Sequence, residues 1–132
     1  MRYLVRGGRG HRLAQDLWSA ADHVITASIT YVETRAALAA GRRGRPWTAP
    51  EQGRLRRAWE TAWREVFVID VDPLIPLAAD LAEQEGLRGF DAVHLAAARM
   101  SGCDLVVATD RRLCAAARQQ QLEVVDLDPA ED

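Results

Sequence analysis

The chain has 132 residues, a hydrophobic content of 48% and a formal net charge of −2, which suit one folded domain with a core of its own. The sequence contains no lysine, which excludes a phosphate-binding P-loop and any mechanism that needs a catalytic lysine. No segment approaches the roughly 18 uninterrupted apolar residues of a membrane span, and no signal-peptide pattern opens the chain, so we expect a soluble, cytoplasmic protein.

Apolar periodicity predicts ten elements, six helices and four strands. In chain order they are a helix over residues 11–22, a strand over 23–26, a helix capped by Ser28 or Thr30 that ends at Gly41, a helix over 51–66, a strand over 66–69, helices over 73–86 and 91–102, a strand over 105–108, a helix over 111–120 and a strand over 123–127. This order predicts a single α/β domain over residues 1–132 with a mainly parallel sheet flanked by helices. Cys103 and Cys114 show neither zinc-ligand nor redox spacing and are predicted to be small apolar fillers of its core.

Charge is distributed unevenly along the chain. Residues 35–64 carry eight arginines against Glu51 and Glu60, a net charge of +6. Residues 65–132 carry five arginines against fourteen acids, a net charge of −9, and residues 1–34 supply the remaining +1. The basic section fits a nucleic acid or an acidic protein partner, although such charge runs are also common on solvated surfaces.

The basic section also carries three of the four tryptophans. Beside arginines they can stack on nucleic-acid bases. A tryptophan stripe at helical spacing more often packs against the domain or a subunit partner, and the pattern favours that interpretation. We therefore expect a surface for a second copy or a partner protein on the helices that carry Leu13, Trp18, Leu55, Trp59 and Trp63.

Three acids occupy equivalent places at junctions between strands and helices. Glu33 follows the first predicted strand, Asp91 opens the helix over residues 91–102, and Asp110 lies just past the strand over 105–108. Ligands gather beyond the carboxyl ends of parallel strands, so we expect these side chains to converge. Each acid also has a local interpretation, because Asp91 and Asp110 can cap helices and Glu33 can complete a capping box with Thr30.

Converging carboxylates repel one another unless a cation binds among them. No pattern of Cys or His ligands lies nearby, and hard oxygen donors suit Mg²⁺ or Mn²⁺. Such an ion suits the hydrolysis of a phosphodiester bond, since it activates water and neutralises charge on the phosphate. Glu33, Asp91 and Asp110 are therefore the candidate metal ligands and catalytic residues. His94, one turn after Asp91, is either a proton carrier or a packed, hydrogen-bonded helix residue, and the second interpretation is favoured.

Three blocks of the sequence resemble the PIN-domain ribonucleases, in particular the VapC-like toxins of bacterial type II toxin–antitoxin pairs. The blocks are residues 30–38 (TYVETRAAL), 89–96 (GFDAVHLA) and 108–113 (ATDRRL), and the resemblance covers essentially the whole chain. It implies a PIN-like three-layer fold and a Mg²⁺- or Mn²⁺-dependent endoribonuclease toxin that cuts structured RNA such as tRNA or rRNA. It also implies a homodimer, a cognate antitoxin, and metal binding by Glu33, Asp91 and Asp110, with Thr109 as a helper.

The sequence departs from the family pattern at its start. That pattern opens with an apolar strand ending in an aspartate followed by Ser or Thr, whereas the first acid here is Asp16, inside the first predicted helix. The role of the aspartate is therefore not assigned to Asp16. Residues 1–8 make a poor strand, interrupted by arginine and glycine. We expect the first strand to be absent, residues 1–5 to begin the first helix, translation to start upstream of Met1, and the chain to be weakly folded.

Two other functions are compatible with the sequence. A shortened, non-catalytic PIN-like protein would still bind an antitoxin or RNA through the arginine-rich section. A phosphate-signalling receiver domain also collects acids at strand ends, but that fold relies on a lysine, which this chain lacks. A comparison of RNA cleavage with and without Mg²⁺ separates the first alternative from an active ribonuclease.

Overall fold

The structure is a computed structural model that describes residues 2–4, 11–41 and 45–128. The strands are β1 (Arg2–Leu4), β2 (Val24–Ala27), β3 (Phe67–Ile69), β4 (Leu105–Ala108) and β5 (Val124–Asp126). The helices are α1 (His11–Ala20), α2 (Ile29–Ala40), α3 (Ala49–Trp63), α4 (Ile75–Glu85), α5 (Gly89–Ser101) and α6 (Arg111–Gln119), with a 3₁₀ turn over Asp72–Leu74. Elements from α1 onwards follow the predicted order, which confirms the α/β fold class.

The five strands form one parallel sheet in the order β3-β2-β1-β4-β5. Its centre is β1, in which Arg2 lies opposite Val24 on one side and Leu105 on the other. The expectation that the first strand is absent, and that residues 1–5 begin a helix, is therefore wrong. A gap between β2 and β4 would leave backbone N–H and C=O groups of both strands unpaired, and a three-residue strand satisfies them whatever its side-chain pattern.

Local chemistry explains where several helices begin and end. Thr48 caps α3 by accepting the N–H of Glu51 at 3.3 Å, so this helix begins two residues before the predicted start. Both α4 and α5 end, as predicted, at glycines in the left-handed conformation, Gly86 (φ 63°) and Gly102 (φ 62°). A residue with a Cβ atom would be strained at either position.

The hydrophobic core lies around α5, which has seven consecutive buried residues from Ala92 to Ala98. Four of them are alanines, whose small side chains let α5 pack closely against α4 and against β2. Cys103 and Cys114 are 8% and 0% exposed, which confirms their predicted role as core fillers. Burial raises the pKa of the Cys114 thiol to about 11, so it is protonated and weakly nucleophilic at neutral pH. Within the described ranges, no helix is both long enough and apolar enough to span a membrane.

Replacement of a core residue of α5 should destabilise the protein much more than replacement of an exposed residue on the same helix. Leu95 is fully buried, and Leu95→Ala is expected to lower the free energy of unfolding by about 2–5 kcal/mol through lost burial and an unfilled cavity. Met100 is 56% exposed, and Met100→Ala is expected to change it by less than about 1 kcal/mol. Urea denaturation of the two variants measures both values, and equal losses would contradict this placement of the core.

Candidate active site

Three elements place the predicted acids on one side of the sheet. Glu33 lies in the second turn of α2, which begins two residues after β2 ends. Asp91 lies in the first turn of α5. Asp110 lies between β4 and α6. All three therefore belong to the edge where ligands gather in parallel α/β sheets, as the sequence predicted.

Asp110 caps a helix. Its Oδ1 atom accepts the backbone N–H of Leu113 at 2.9 Å, which satisfies one of the unpaired donors at the start of α6. The local interpretation of this acid is thus confirmed. Capping engages the carboxylate without neutralising it, so the negative charge of Asp110 still acts on its neighbours.

Asp91 is under electrostatic stress. The N-cap residue of α5 is Arg88, so Asp91 sits in the third helical position and does not serve as the cap. Burial is the main cause that raises the pKa of Asp91, and the negative charge of Asp110 is the next. His94 lowers this pKa, Glu33 raises it by less, and Arg88 lowers it least. Carboxylates on two other elements therefore act electrostatically on Asp91.

Glu33 binds a buried histidine and does not form a capping box. The helix α2 begins at Ile29 after Ser28, so Thr30 lies inside it, and its hydroxyl lies 2.7 Å from the hydroxyl of Thr26. The Oε1 atom of Glu33 instead lies 2.6 Å from Nε2 of His94. The capping-box interpretation of Glu33 is therefore wrong, because the helix starts earlier than that pattern requires.

The structure gives His94 a contact that the sequence did not predict, a hydrogen bond with Glu33. Its side chain is only 2% exposed, and its bond to Glu33 joins α2 to α5 across a sequence separation of 61 residues. The favoured interpretation of His94, a packed and hydrogen-bonded helix residue, is confirmed. The spacing of three residues from Asp91, which puts both on one face of α5, was the available signal, but it could not identify Glu33 as the partner.

The donor chemistry of these acids fits a divalent cation. Mg²⁺ and Mn²⁺ prefer carboxylate oxygens, and a cation would relieve the repulsion that Glu33 and Asp110 exert on Asp91. Over residues 2–4, 11–41 and 45–128, no group of three or more His, Cys, Asp or Glu side chains is arranged to hold a metal ion. Joint coordination by Glu33, Asp91 and Asp110 therefore stays a prediction.

An apolar groove of about 450 Å³ lies near the start of α5. It runs between α4 and the start of α5, and Gly89 and Phe90, the two residues before Asp91, form part of its wall. Phe90 and Ile75 are 60% and 50% exposed there, an unusual state for large apolar side chains that cluster together. The site thus combines charged and apolar surface at one place.

Taken together, the chain is a parallel α/β protein with interacting carboxylates on separate elements at one side of its sheet. Residues 1–119 match the PIN domain family, and the chain belongs to that family, which confirms the predicted resemblance. Ribonuclease VapC45 of Mycobacterium tuberculosis (strain CDC 1551 / Oshkosh) is 40% identical over 107 residues, which cover 79% of this chain and 74% of that protein.

Solved structures show the same fold. The crystal structure of PAE2754 from Pyrobaculum aerophilum matches with a TM-score of 0.71 and 22% identity, over 96% of this chain and 90% of that chain. The crystal structure of FitAcB from Neisseria gonorrhoeae matches with a TM-score of 0.66 and 18% identity, over 96% of this chain and 98% of that chain. These likenesses support the placement of the helices around the parallel sheet.

The raised pKa of Asp91 predicts a pH-dependent loss of stability. With EDTA present, the folded state binds the Asp91 proton more tightly than the unfolded state, so stability falls as pH rises from the ordinary value of 3.8 through the raised folded pKa. Above that window the deficit is constant. Asp91→Asn removes the charge, so its melting temperature should exceed that of the wild type at pH 7 and approach it below pH 3.8. If the melting temperatures of the wild type and Asp91→Asn differ by the same amount at every pH in this range, the raised pKa of Asp91 is contradicted.

The contact between His94 and Glu33 should appear as a coupling energy. In a double-mutant cycle measured with EDTA present, His94→Asn and Glu33→Ala should be non-additive by about 0.5–3 kcal/mol, because either change alone removes the same bond. Glu83, an exposed residue of α4, supplies the control. The effects of His94→Asn and Glu83→Ala should add. Additivity in both cycles would show that the bond contributes nothing to stability.

Proposed function

We propose that this protein is a metal-dependent endoribonuclease of the VapC type that cleaves RNA phosphodiester bonds as the toxin of a toxin–antitoxin pair. The observation that carries the proposal is the electrostatic effect of Asp110 and Glu33 on Asp91, from three separate elements, in a chain of the PIN domain family. The 40% identity to a protein named a ribonuclease supports the same activity.

Each acid has a distinct part in the proposed site. Asp91, whose pKa is raised, and Asp110, whose carboxylate accepts the Leu113 N–H, would hold Mg²⁺ or Mn²⁺ together with Glu33. When bound, the ion supplies an activated water and neutralises charge on the phosphate. His94 holds the Glu33 carboxylate through Nε2 and so fixes its orientation. Thr109 lies directly before Asp110 and would assist it.

The substrate we propose is structured RNA of the tRNA or rRNA class. The whole chain has a net charge of −2, and its acids lie mainly after residue 65, so a polyanion must approach through the basic section that precedes them. We propose that residues 1–132 act as one PIN-like domain in this reaction, in the cytoplasm.

The partners we propose are a cognate antitoxin and a second copy of the chain. The apolar groove supports the first, because it offers space for an apolar anchor of the antitoxin against Gly89 and Phe90, the two residues before Asp91. An antitoxin arginine placed there could pair with the carboxylates in place of a cation. Trp18, Trp59 and Trp63 are all incompletely buried, which supports the predicted protein-binding surface for the antitoxin or the second copy.

Cleavage of RNA tests the proposal. Purified protein should cleave tRNA or rRNA fragments in Mg²⁺ or Mn²⁺ and lose that activity in EDTA. Asp91→Asn should lower the rate by about 10²-fold or more, since it removes a charge that acts where the phosphate reacts. Asp80→Asn, which changes an exposed acid of α4 in the same way, should leave the rate unchanged. Gel analysis of end-labelled RNA measures all three proteins.

A thermal measurement separates loss of metal binding from misfolding. Mn²⁺ should raise the melting temperature of the wild type and of Asp80→Asn but not that of Asp91→Asn. If the wild type cleaves RNA no faster than Asp91→Asn, the ribonuclease proposal is wrong. The alternative function, a non-catalytic PIN-like protein that binds an antitoxin or RNA, would then be the better description.

A further inference from the structure

Helix α3 has one face that is held by α2. The rings of Trp59 and Trp63 lie 6.3 and 5.2 Å from the ring of Tyr31, measured between centroids. The Tyr31 hydroxyl donates to Oε1 of Glu60 at 2.5 Å, and Arg35 donates to the same atom at 3.3 Å. These contacts fix the helix, although none of its residues is fully buried.

Next to this face, α3 carries a groove lined by arginines. One open depression, of about 560 Å³, is lined by Gly53, Arg56, Arg57, Glu60, Thr61 and Arg64. A second, of about 440 Å³, shares Gly53 and Arg56 and extends to Arg35 of α2. We call these two depressions together the arginine groove. The candidate metal ligands do not contribute to its walls.

The arginine groove has a net positive charge. Among the described residues that line it, the only carboxylate is that of Glu60, which already accepts hydrogen bonds from Tyr31 and Arg35. Over the described part of the chain, no carboxylate pairs with Arg56, Arg57 or Arg64. All three arginine side chains are exposed, so they are available to an anion from outside.

Gly53 brings one of these arginines close to the helix. A Cβ atom at position 53 would lie 3.3 Å from Nη1 of Arg57, closer than ordinary van der Waals contact. Glycine is a poor residue for a helix interior, where alanine is favoured. The glycine therefore leaves room for the Arg57 guanidinium against the helix, on the floor of the groove.

The side chains of the groove match a phosphate backbone better than a protein. The arginines and the Thr61 hydroxyl are the groups that contact phosphate oxygens. Among the described residues that line the two depressions, Leu38 alone has a large apolar side chain. A protein interface normally centres on apolar anchors. Arg57 and Arg64 lie seven residues apart, about 10 Å along the helix, so the cations form a row suited to successive phosphates.

We propose that the arginine groove binds the phosphodiester backbone of RNA, at nucleotides other than those held by the carboxylates. The proposal rests on the ribonuclease function proposed above and adds a binding surface to it. Tyr31 and Arg35 contact α3 while Glu33 contacts α5, so α2 lies between the groove and the acids. RNA that reaches both sites must therefore extend across α2.

The salt dependence of RNA binding tests the proposal. The probe is a labelled single-stranded RNA of about 20 nucleotides, longer than a typical binding site, and EDTA prevents its cleavage. For Arg57→Gln/Arg64→Gln, the slope of log K against log salt concentration should be about 1.4 shallower than for the wild type, since each lost phosphate contact removes about 0.7. Affinity at low salt should fall as well.

The matched control is Arg99→Gln/Arg118→Gln, which removes the same charge from the last turns of α5 and α6. Its slope should equal that of the wild type. Melting temperatures measured on the same samples check that both double variants are folded. They should equal that of the wild type, because the changed side chains are exposed. Equal losses in the two pairs, or no loss in the groove pair, would overturn the proposal.

Three further results distinguish this proposal from its rivals. If the groove pair loses binding to polyglutamate but keeps binding to RNA, the surface serves an acidic protein and the RNA proposal is wrong. If the wild type binds RNA through the groove but does not cleave it in Mg²⁺ or Mn²⁺, the ribonuclease function fails while the groove assignment stands. If the wild type cleaves RNA and the groove pair changes neither the cleavage rate nor the RNA affinity, the ribonuclease function stands and the groove assignment is wrong.

Discussion

The burial of α5 is the constraint on which the candidate site depends. Seven consecutive residues of this helix are buried, so its rotation and depth are fixed by packing against α4 and the sheet. This packing places Asp91 at the edge of the core and His94 inside it. Glu33 is then held by the His94 ring, so the position of an acid on α2 is set by the packing of a different helix. A site built in this way is positioned by the core and not by loops.

The same packing has an electrostatic cost. Burial and the neighbouring carboxylates disfavour the charged form of Asp91, whereas His94 and Arg88 only partly offset them. A chain optimised for stability alone would place a neutral residue at position 91. Acids whose pKa values are shifted in this way cluster at functional sites. The unfavourable charge of Asp91 is the physical reason to expect a cation at this edge of the sheet.

The sequence predicted the elements of the fold better than the contacts of the site. Helical periodicity and helix-ending glycines located α4 and α5, and strand ends and a helix start located the three acids, because those signals are local. The strand β1 has no such signal, since Arg2–Leu4 is defined by the two strands beside it. The bond between Glu33 and His94 joins residues 61 positions apart, and no local pattern contains that information. The capping-box pattern at Thr30 even favoured a competing local partner.

Helix α2 separates two surfaces of opposite charge. Glu33 of α2 contacts His94 of α5, the helix that also carries Asp91. Tyr31 and Arg35 lie one turn apart on another face of α2, where they contact α3 beside the arginine groove. Carboxylates that no cation has neutralised repel a polyanion such as RNA. Long-range attraction to the arginines of the groove can offset that repulsion before the RNA reaches the acids. The division of charge across one helix therefore lets the same domain attract RNA and keep carboxylates for a cation. It also predicts that the two tasks are separable, since each surface is formed by different residues of α2.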